Sequence, residues 1–421
     1  MQLGHVEIKT CKILLALYVF SLAFFDKSIF LGYDSPHLYL GLICIFSVVV
    51  LRSDKGIVLP NDAIFWLLFL IALLLSSFFA FSYERILSNT ARLISILAIS
   101  IAIYNLLRSY RDSVQDALKF YLVLSVFLAL FGMLQFIEFN RFGTFNLYLP
   151  ATNLQFIASG GPGAVAGSLS IFRATGTFAE PSWLAYFLAP ASILSIIRYL
   201  QDSVLKNLIL TLILFGGLIC TLSLAGLILF GFTILIIFFI KILFILLSMK
   251  VNPHSFRRFA YLVIIILSVI FGAENYATTA DDYVETRLNE MTQGQDPSSE
   301  MRMTTANQAI LLFERSPFIG VGAGNYPFAA SSFLGGPADV SINSGFLLIL
   351  AEMGMIGFVT FGLILWRSFC PILRVISPIS EQLLWLLVCD TLLLIAFNWW
   401  YHPLLWLHLT IPLAIDDKRG L

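Results

Sequence analysis

The sequence is poor in charged residues. Only 12% of its 421 residues are Asp, Glu, Lys or Arg, whereas 59% are hydrophobic. A soluble domain carries about 25% charged residues, so this composition excludes an ordinary soluble protein. Acidic and basic residues balance at 25 each, so no net charge attracts nucleic acid. With a mean hydropathy of +0.90, the composition predicts a protein that crosses a membrane several times.

Cysteine and the common catalytic motifs are also scarce. The five cysteines lie in or beside apolar runs without paired spacing, which excludes a disulfide framework and a cysteine-based zinc site. The five histidines are scattered, and no Walker sequence, dinucleotide-binding glycine motif or paired-aspartate cluster occurs. We therefore expect neither a metal nor a cofactor.

Long apolar runs dominate what is present. A helix needs about 20 apolar residues to cross the hydrocarbon core, and the sequence offers about twelve such runs. They lie near residues 12–31, 36–51, 62–81, 86–107, 117–138, 182–197, 206–222, 224–247, 258–273, 342–366, 378–397 and 399–415. The expected fold class is all-α: a polytopic membrane protein with about twelve transmembrane helices, forming a single integral membrane domain over residues 1–421.

The positions of Lys and Arg predict the orientation. Most of them fall in alternate loops, which places both termini in the cytoplasm. No small-residue cleavage site follows the first apolar run, so we expect that span to be retained. Two outward segments are longer than ordinary connections: 139–181, before helix 6, and the large loop 274–341, between helices 9 and 10. Helix-forming residues around 298–315 interrupt the second.

Arginines of the outward side are the first candidates for a binding site. Arg85 and Arg92 are seven residues apart, so they share one face of a helix about 10 Å apart. An unpaired charge at membrane depth costs about 2.5–3.5 kcal/mol, so such residues are paired or face a wet cavity. One interpretation is snorkelling or ion pairing, for example with Glu84. The other is a cationic pocket for phosphates, which guanidinium groups bind well.

A second candidate is the motif from Phe172 to Trp183, directly before the sixth span. Thr177 or Ser182 could cap that helix, and Pro181 suits its first turn. Capping does not explain an Arg and a Glu together at a membrane entrance. A carboxyl group near apolar surroundings can have a raised pKa and accept a proton from a hydroxyl, which makes Glu180 a candidate base.

The start of the tenth span carries a third polar group. Gly345, Gly354 and Gly357 are interpreted as sites of close helix packing, and a structural role is favoured for Glu352. His402 lies near the outer end of the last two spans, where it either reaches the outward site or anchors a helix at the interface.

Several short motifs occur together in a fixed order. They are Arg173 to Phe178 with Glu180-Pro181, Thr221 to Gly226, Arg302, the turn from Ser316 to Asn325, Asn343, and Glu352-Met353-Gly354. In this order and spacing, the chain resembles the O-antigen polymerase and ligase superfamily of bacterial envelope glycosyltransferases. The resemblance covers about residues 165–366 by motif and the whole chain by architecture.

The resemblance implies a glycosyltransferase of the bacterial inner membrane with a periplasmic active site. Its substrate would be an oligosaccharide linked to undecaprenyl pyrophosphate in the bilayer, transferred with inversion and without a metal. A chain-length regulator protein is a candidate partner. An acceptor hydroxyl would attack C1 while arginines hold the departing pyrophosphate. The catalytic candidates are Glu180, Arg173 and Arg302; the substrate-binding candidates are Arg85, Arg92, Arg287, Arg315, Asn343, Asp339 and His402.

Departures from the family pattern decide between its two activities. Ligases usually carry His where this chain has Ile342, and often Arg where it has Leu224. We therefore predict a polymerase that joins repeat units, with Glu180 or Asp339 as the base. The alternative is an O-antigen ligase that transfers glycan to lipid A-core. A flippase or other transporter is the second alternative, although the chain shows no internal repeat and concentrates its polar residues in outer loops.

Overall fold

The computed structural model describes ten stretches of the chain. They are residues 5–25, 27, 36–51, 56–80, 82–150, 163–166, 169–248, 297–335, 342–375 and 377–417. The predicted span 258–273 lies outside the described residues, as do parts of both long outer segments.

The described residues form a mainly helical protein. The first eight helices are α1 (His5–Ser21), α2 (Pro36–Leu51), α3 (Ala63–Ser76), α4 (Tyr83–Ser109), α5 (Ser113–Ile137), α6 (Pro181–Asp202), α7 (Leu205–Cys220) and α8 (Leu224–Ser248). The others are α9 (Pro297–Arg315), α10 (Tyr326–Leu334), α11 (Gly345–Arg374), α12 (Pro378–Leu393) and α13 (Pro403–Asp417). Helix α9 confirms the helical content predicted around 298–315.

Short irregular elements lie beside the helices. Helices α1 and α3 continue into 3₁₀ turns at Leu22–Phe24 and Ser77–Phe79, and a π-helical turn at Glu138–Phe142 follows α5. Strands β1 (Gly163–Ala166) and β2 (Leu169–Phe172) pair antiparallel, with Gly163 opposite Phe172. This hairpin is a small departure from the all-α prediction, and it lies within the predicted outer segment 139–181.

Length and composition identify a multi-pass membrane protein. Within the described residues, five helices are long and apolar enough to cross a membrane: α4, α5 with its π turn, α6, the first twenty residues of α8, and α11. Shorter apolar helices occur at Pro36–Leu51, Ala63–Ser76, Leu205–Cys220 and Pro403–Ile415. These agree with predicted spans, but the count of twelve stays a prediction.

Helix α6 lies in the centre of the bundle. Every side chain from Leu184 to Ile197 is buried, because α6 packs against α5, α7, α8 and α12. A helix that is apolar all round is expected in such a position. In contrast, α8 exposes Phe232, Leu235 and Phe239, as a helix at the periphery of a membrane bundle does.

The bundle has two distinct ends. The carboxyl ends of α5, α7 and α12 meet the amino ends of α6 and α11, as when the N–H of Gly345 donates to the C=O of Leu394 at 2.8 Å. We call this the site end, because the candidate residues gather there. The opposite end contains the turn between α4 and α5 and the start of α12.

Candidate functional site

The segment 172–180 is fixed against three neighbouring elements. The N–H of Ala174 donates to the C=O of Cys220, at the end of α7, at 2.9 Å. The hydroxyl of Thr177 donates to the C=O of Ala23, in the 3₁₀ turn after α1. Ala174 and Thr177 are both buried, so these two hydrogen bonds fix the position of the segment as it enters α6.

Glu180 is the residue immediately before α6. Pro181 occupies the first turn, as predicted, where its missing N–H is not needed. The predicted cap at Ser182 is wrong: the Ser182 hydroxyl donates to Oε2 of Glu180 at 3.0 Å instead of accepting from the helix backbone. Burial raises the pKa of Glu180, and the hydrogen bond from Ser182 partly opposes this increase.

Two predicted cations lie near the Glu180 carboxylate. Arg173 is half-buried, and Arg302 is exposed on α9. The positive charges of both favour the ionised form of Glu180 and oppose the increase in its pKa. The structure therefore gathers the three residues that the sequence predicted as catalytic, although Arg302 is far from the other two in the chain.

A break in helix α11 forms a second part of the site end. Gly354 has φ 62° and ψ −161°, which interrupts the helix, so our interpretation of Gly354 as only a packing residue is wrong. The turn between α9 and α10 fits into the break. The N–H of Val321 donates to the C=O of Ala351 at 3.0 Å, and the N–H of Gly322 donates to the C=O of Glu352 at 2.9 Å.

The same turn satisfies the backbone on the other side of the break. The N–H of Met355 donates to the C=O of Pro317 at 2.8 Å. A Cβ atom at Gly354 would lie 2.4 Å from the carbonyl carbon of Phe318, so only glycine fits. Irregular backbone at membrane depth is tolerated where protein satisfies its polar groups, and the turn provides those partners.

Glu352 lies at this junction. Its Oε1 accepts from the N–H of Tyr326, at the start of α10, at 3.2 Å. The neighbouring Asn325 accepts from the N–H of Ser82 at 2.7 Å and so joins the turn to α4. These contacts support the structural role favoured for Glu352. Arg85, one turn into α4, lies within electrostatic range of the same carboxylate.

Tyr401 connects the two parts and was not predicted from the sequence. The guanidinium of Arg92 lies over its ring, 4.9 Å from the centroid. The charges of Arg92, Glu352 and Glu180 all act on Tyr401. The Tyr401 side chain is therefore within electrostatic range of both carboxylates. An aromatic residue in an apolar run gives no signal of such a position.

The other predicted binding residues have different surroundings. Arg315 lies over the ring of Phe333, 4.1 Å from the centroid. Asn343 is exposed just before α11. Arg287 and Asp339 lie outside the described residues, so their predicted roles have no structural test.

His402 is a core residue rather than a surface residue. Its side chain is 1% exposed and stacks on Trp399, with ring centroids 4.0 Å apart. Its Nδ1 accepts from the N–H of Leu404 at 3.1 Å. This geometry corresponds to the helix-anchoring alternative, and a role in substrate binding stays a prediction.

Comparison with known proteins adds one match. Residues 209–362 match the family model described as O-antigen ligase. This match supports the O-antigen polymerase and ligase superfamily, whose members are membrane glycosyltransferase-like enzymes, and does not distinguish polymerase from ligase. The match begins within α7, includes α8 to α10 and the break in α11, and ends before Tyr401. No curated protein matches the chain.

Proposed function

We propose that the protein is a membrane glycosyltransferase that polymerises oligosaccharide repeat units carried on undecaprenyl pyrophosphate. The observation that carries this proposal is the grouping of Glu180 with Arg173 and Arg302 at one end of an apolar bundle. A base beside two guanidinium groups suits a reaction in which a hydroxyl loses a proton and a pyrophosphate departs.

The proposed reaction has one displacement. An acceptor hydroxyl attacks C1 of the donor sugar, a new C1–O bond forms, and the bond from C1 to the pyrophosphate oxygen breaks with inversion. Glu180 accepts the hydroxyl proton. Arg173 and Arg302 stabilise the charge that develops on the leaving undecaprenyl pyrophosphate, an electrostatic contribution of the kind that usually dominates such steps.

Additional arginines extend the positive surface. Arg92 and Arg85 lie on α4, and Arg315 ends α9; none forms an ion pair with a described residue. We propose that they contact the pyrophosphate or the acidic groups of the lipid-linked substrate. Tyr401 adds a hydroxyl within electrostatic range of Glu180 and Glu352.

Two observations bear on the choice between polymerase and ligase. Ile342, which stands where ligases usually carry His, is buried with 1% of its surface exposed, and an apolar side chain cannot accept a proton. This favours the polymerase. The ligase is a second candidate because the description of the matching family model is O-antigen ligase.

The test is an assay with the purified protein and undecaprenyl pyrophosphate-linked repeat unit, with and without lipid A-core. A ladder of products without lipid A-core is the expected result. A single transfer that requires lipid A-core would instead establish a ligase. If the intact substrate gives no product in either reaction but crosses the bilayer, the protein is a transporter and the proposed chemistry is wrong.

A further inference from the structure

Two amide side chains hold the backbone on either side of Arg173. Gln135, near the end of α5, is fully buried, and Asn140, in the π turn that follows, is exposed. Both bond to the segment that contains Arg173, and neither stands out in the sequence. Each side chain forms both donor and acceptor hydrogen bonds with the backbone, which packing alone does not require.

Gln135 fixes the backbone that follows Arg173. Its Oε1 accepts from the N–H of Thr175 at 3.1 Å and from the N–H of Gly176 at 2.7 Å. Its Nε2 donates to the C=O of Gly176 and to the C=O of Leu147, each at 2.8 Å. Both N–H donors and the carbonyl oxygen are therefore used. Such bonds are strong in a buried site, and their loss leaves polar groups unsatisfied.

Asn140 fixes the residue that precedes Arg173. Its Nδ2 donates to the C=O of Phe172 at 2.8 Å, and its Oδ1 accepts from the N–H of Phe172 at 3.0 Å. Asn140 lies in the π turn Glu138–Phe142, an irregularity that is frequent at functional sites.

We propose that Gln135 and Asn140 are positioning residues for Arg173. They fix the backbone on both sides of it, so that the guanidinium meets the pyrophosphate beside Glu180. This inference rests on the proposed function, since it assigns the pyrophosphate to Arg173. A displacement of about 1 Å at such a group can cost about 100-fold in rate. A buried amide that fixes the backbone beside Arg173 would prevent such a displacement.

The test measures the affinity for undecaprenyl pyrophosphate in a double-mutant cycle, using the full-length protein in lipid nanodiscs. The four proteins are wild type, Gln135→Ala, Arg173→Lys and the double variant. Gln135→Ala is expected to raise Kd by about 10- to 30-fold in the wild-type background and by less than about threefold in the Arg173→Lys background. A role acting through Arg173 predicts this difference, whereas a role in stability alone does not.

A matched control exists at the opposite end. Asn105 is also fully buried; its Nδ2 donates to the C=O of Val58 at 2.8 Å, and its Oδ1 accepts from the N–H of Val58 at 3.1 Å. Asn105→Ala is expected to change Kd by the same factor in both Arg173 backgrounds, because any loss of affinity would be general. Equal factors for Gln135→Ala in the two backgrounds would overturn the proposal.

Additional variants and outcomes separate this proposal from a folding defect and from the proposed function. If Gln135→Ala does not fold, the exposed Asn140→Ala carries the same cycle, with an expected increase in Kd of about threefold that disappears in Arg173→Lys. If the coupling in Kd is present but no polymer forms, the positioning role stands and the proposed polymerase fails. If Arg173→Ala binds undecaprenyl pyrophosphate as wild type does, Arg173 does not contact it and the inference is wrong.

Discussion

The positive charges at the two ends of the bundle have different partners. At the opposite end, cationic side chains pair with carboxylates between different helices or their flanking turns. These ion pairs join Lys12 to Asp116 at 3.1 Å, Lys241 to Glu381 at 3.0 Å and Arg367 to Asp62 at 2.5 Å. These three cations are neutralised by the protein.

At the site end, three arginines lie over aromatic rings and form no ion pair with a described residue, whereas Arg367 at the opposite end has both a ring contact and a carboxylate partner. Arg85 lies 5.6 Å from the ring centroid of Phe328, Arg92 lies 4.9 Å from that of Tyr401, and Arg315 lies 4.1 Å from that of Phe333. A ring face holds a guanidinium in place without neutralising it, and the contact contributes only about 0.5–2 kcal/mol.

The difference separates charges that join helices from charges that remain available to a ligand. A guanidinium stacked on a ring keeps its N–H donors free for phosphate oxygens. The carboxylates at the site end also differ from those at the opposite end: Glu180 bonds to Ser182 and Glu352 bonds to backbone N–H groups. Substitutions at the two ends are therefore expected to have different effects on activity and stability.

The largest effect is expected for Glu180→Gln, which removes the proposed base. Chain extension should fall by at least about 100-fold, since general bases contribute about 10²- to 10⁴-fold. Because burial raises the pKa of Glu180, the ionised form that accepts a proton is lost as the pH falls. The wild-type rate should therefore decrease on the acid side, and an initial-rate profile against pH checks this.

Ser182→Ala is the control for that assignment. The Ser182 hydroxyl stabilises the ionised form of Glu180, so its removal should raise the pKa further and move the acid limb to higher pH. An acid limb that stays in place, or that persists in Glu180→Gln, would assign the pH dependence to another group.

Arg302→Ala is expected to reduce turnover by about 100-fold, the loss typical of one donor to a developing charge. Arg302 is exposed, so the melting temperature should change little. Arg141→Ala is the matched control, because Arg141 is also exposed, on the π turn at the site end, and is not among the charges that act on Glu180. Similar losses of turnover in the two variants would contradict the assignment.

Gly354→Ala tests the break in α11. A non-glycine residue at φ 62° and ψ −161° costs about 1–3 kcal/mol, and the added Cβ would also displace the backbone at Phe318. The melting temperature should therefore fall. Gly362→Ala, in the same helix with no atom within 4 Å of the added Cβ, should be neutral or stabilising by up to about 1 kcal/mol. A stable Gly354→Ala would show that the turn does not need the break.

The smallest effect is expected for Lys241→Ala at the opposite end. Its ion pair with Glu381 is about one-third exposed on both sides, and pairs of this kind contribute about 1 kcal/mol or less. Turnover should stay within about twofold of wild type, as measured by the same chain-extension assay. A loss comparable to that of Arg302→Ala would remove the distinction between the two ends.

The sequence predicted the elements that depend on local pattern. Apolar runs and flanking polar residues gave most helix positions, and Pro181 marked the start of α6. The grouping of Arg173, Glu180 and Arg302 was predicted through resemblance to a family, because no local pattern shows that α9 approaches the start of α6.

The residues that were missed depend on tertiary contacts. Gly354 was interpreted as a packing glycine because the turn that fits into the break in α11 lies about thirty residues away in the chain, just before α10. Gln135 and Tyr401 lie in or beside apolar stretches, where a single amide or hydroxyl carries no sequence signal. Their roles follow only from the backbone and the charges that the fold brings to them.

The role of the site-end arginines is tested most directly by the affinity for undecaprenyl pyrophosphate after removal of one positive charge at a time from either end. Arg92→Ala and Arg302→Ala represent the site end, and Lys241→Ala and Lys12→Ala the opposite end. Each site-end variant is expected to raise Kd by at least about tenfold, which corresponds to the loss of one charge-assisted contact of about 1.5 kcal/mol. The opposite-end variants should stay within about twofold of wild type. Equal changes at the two ends, or none at the site end, would contradict this role.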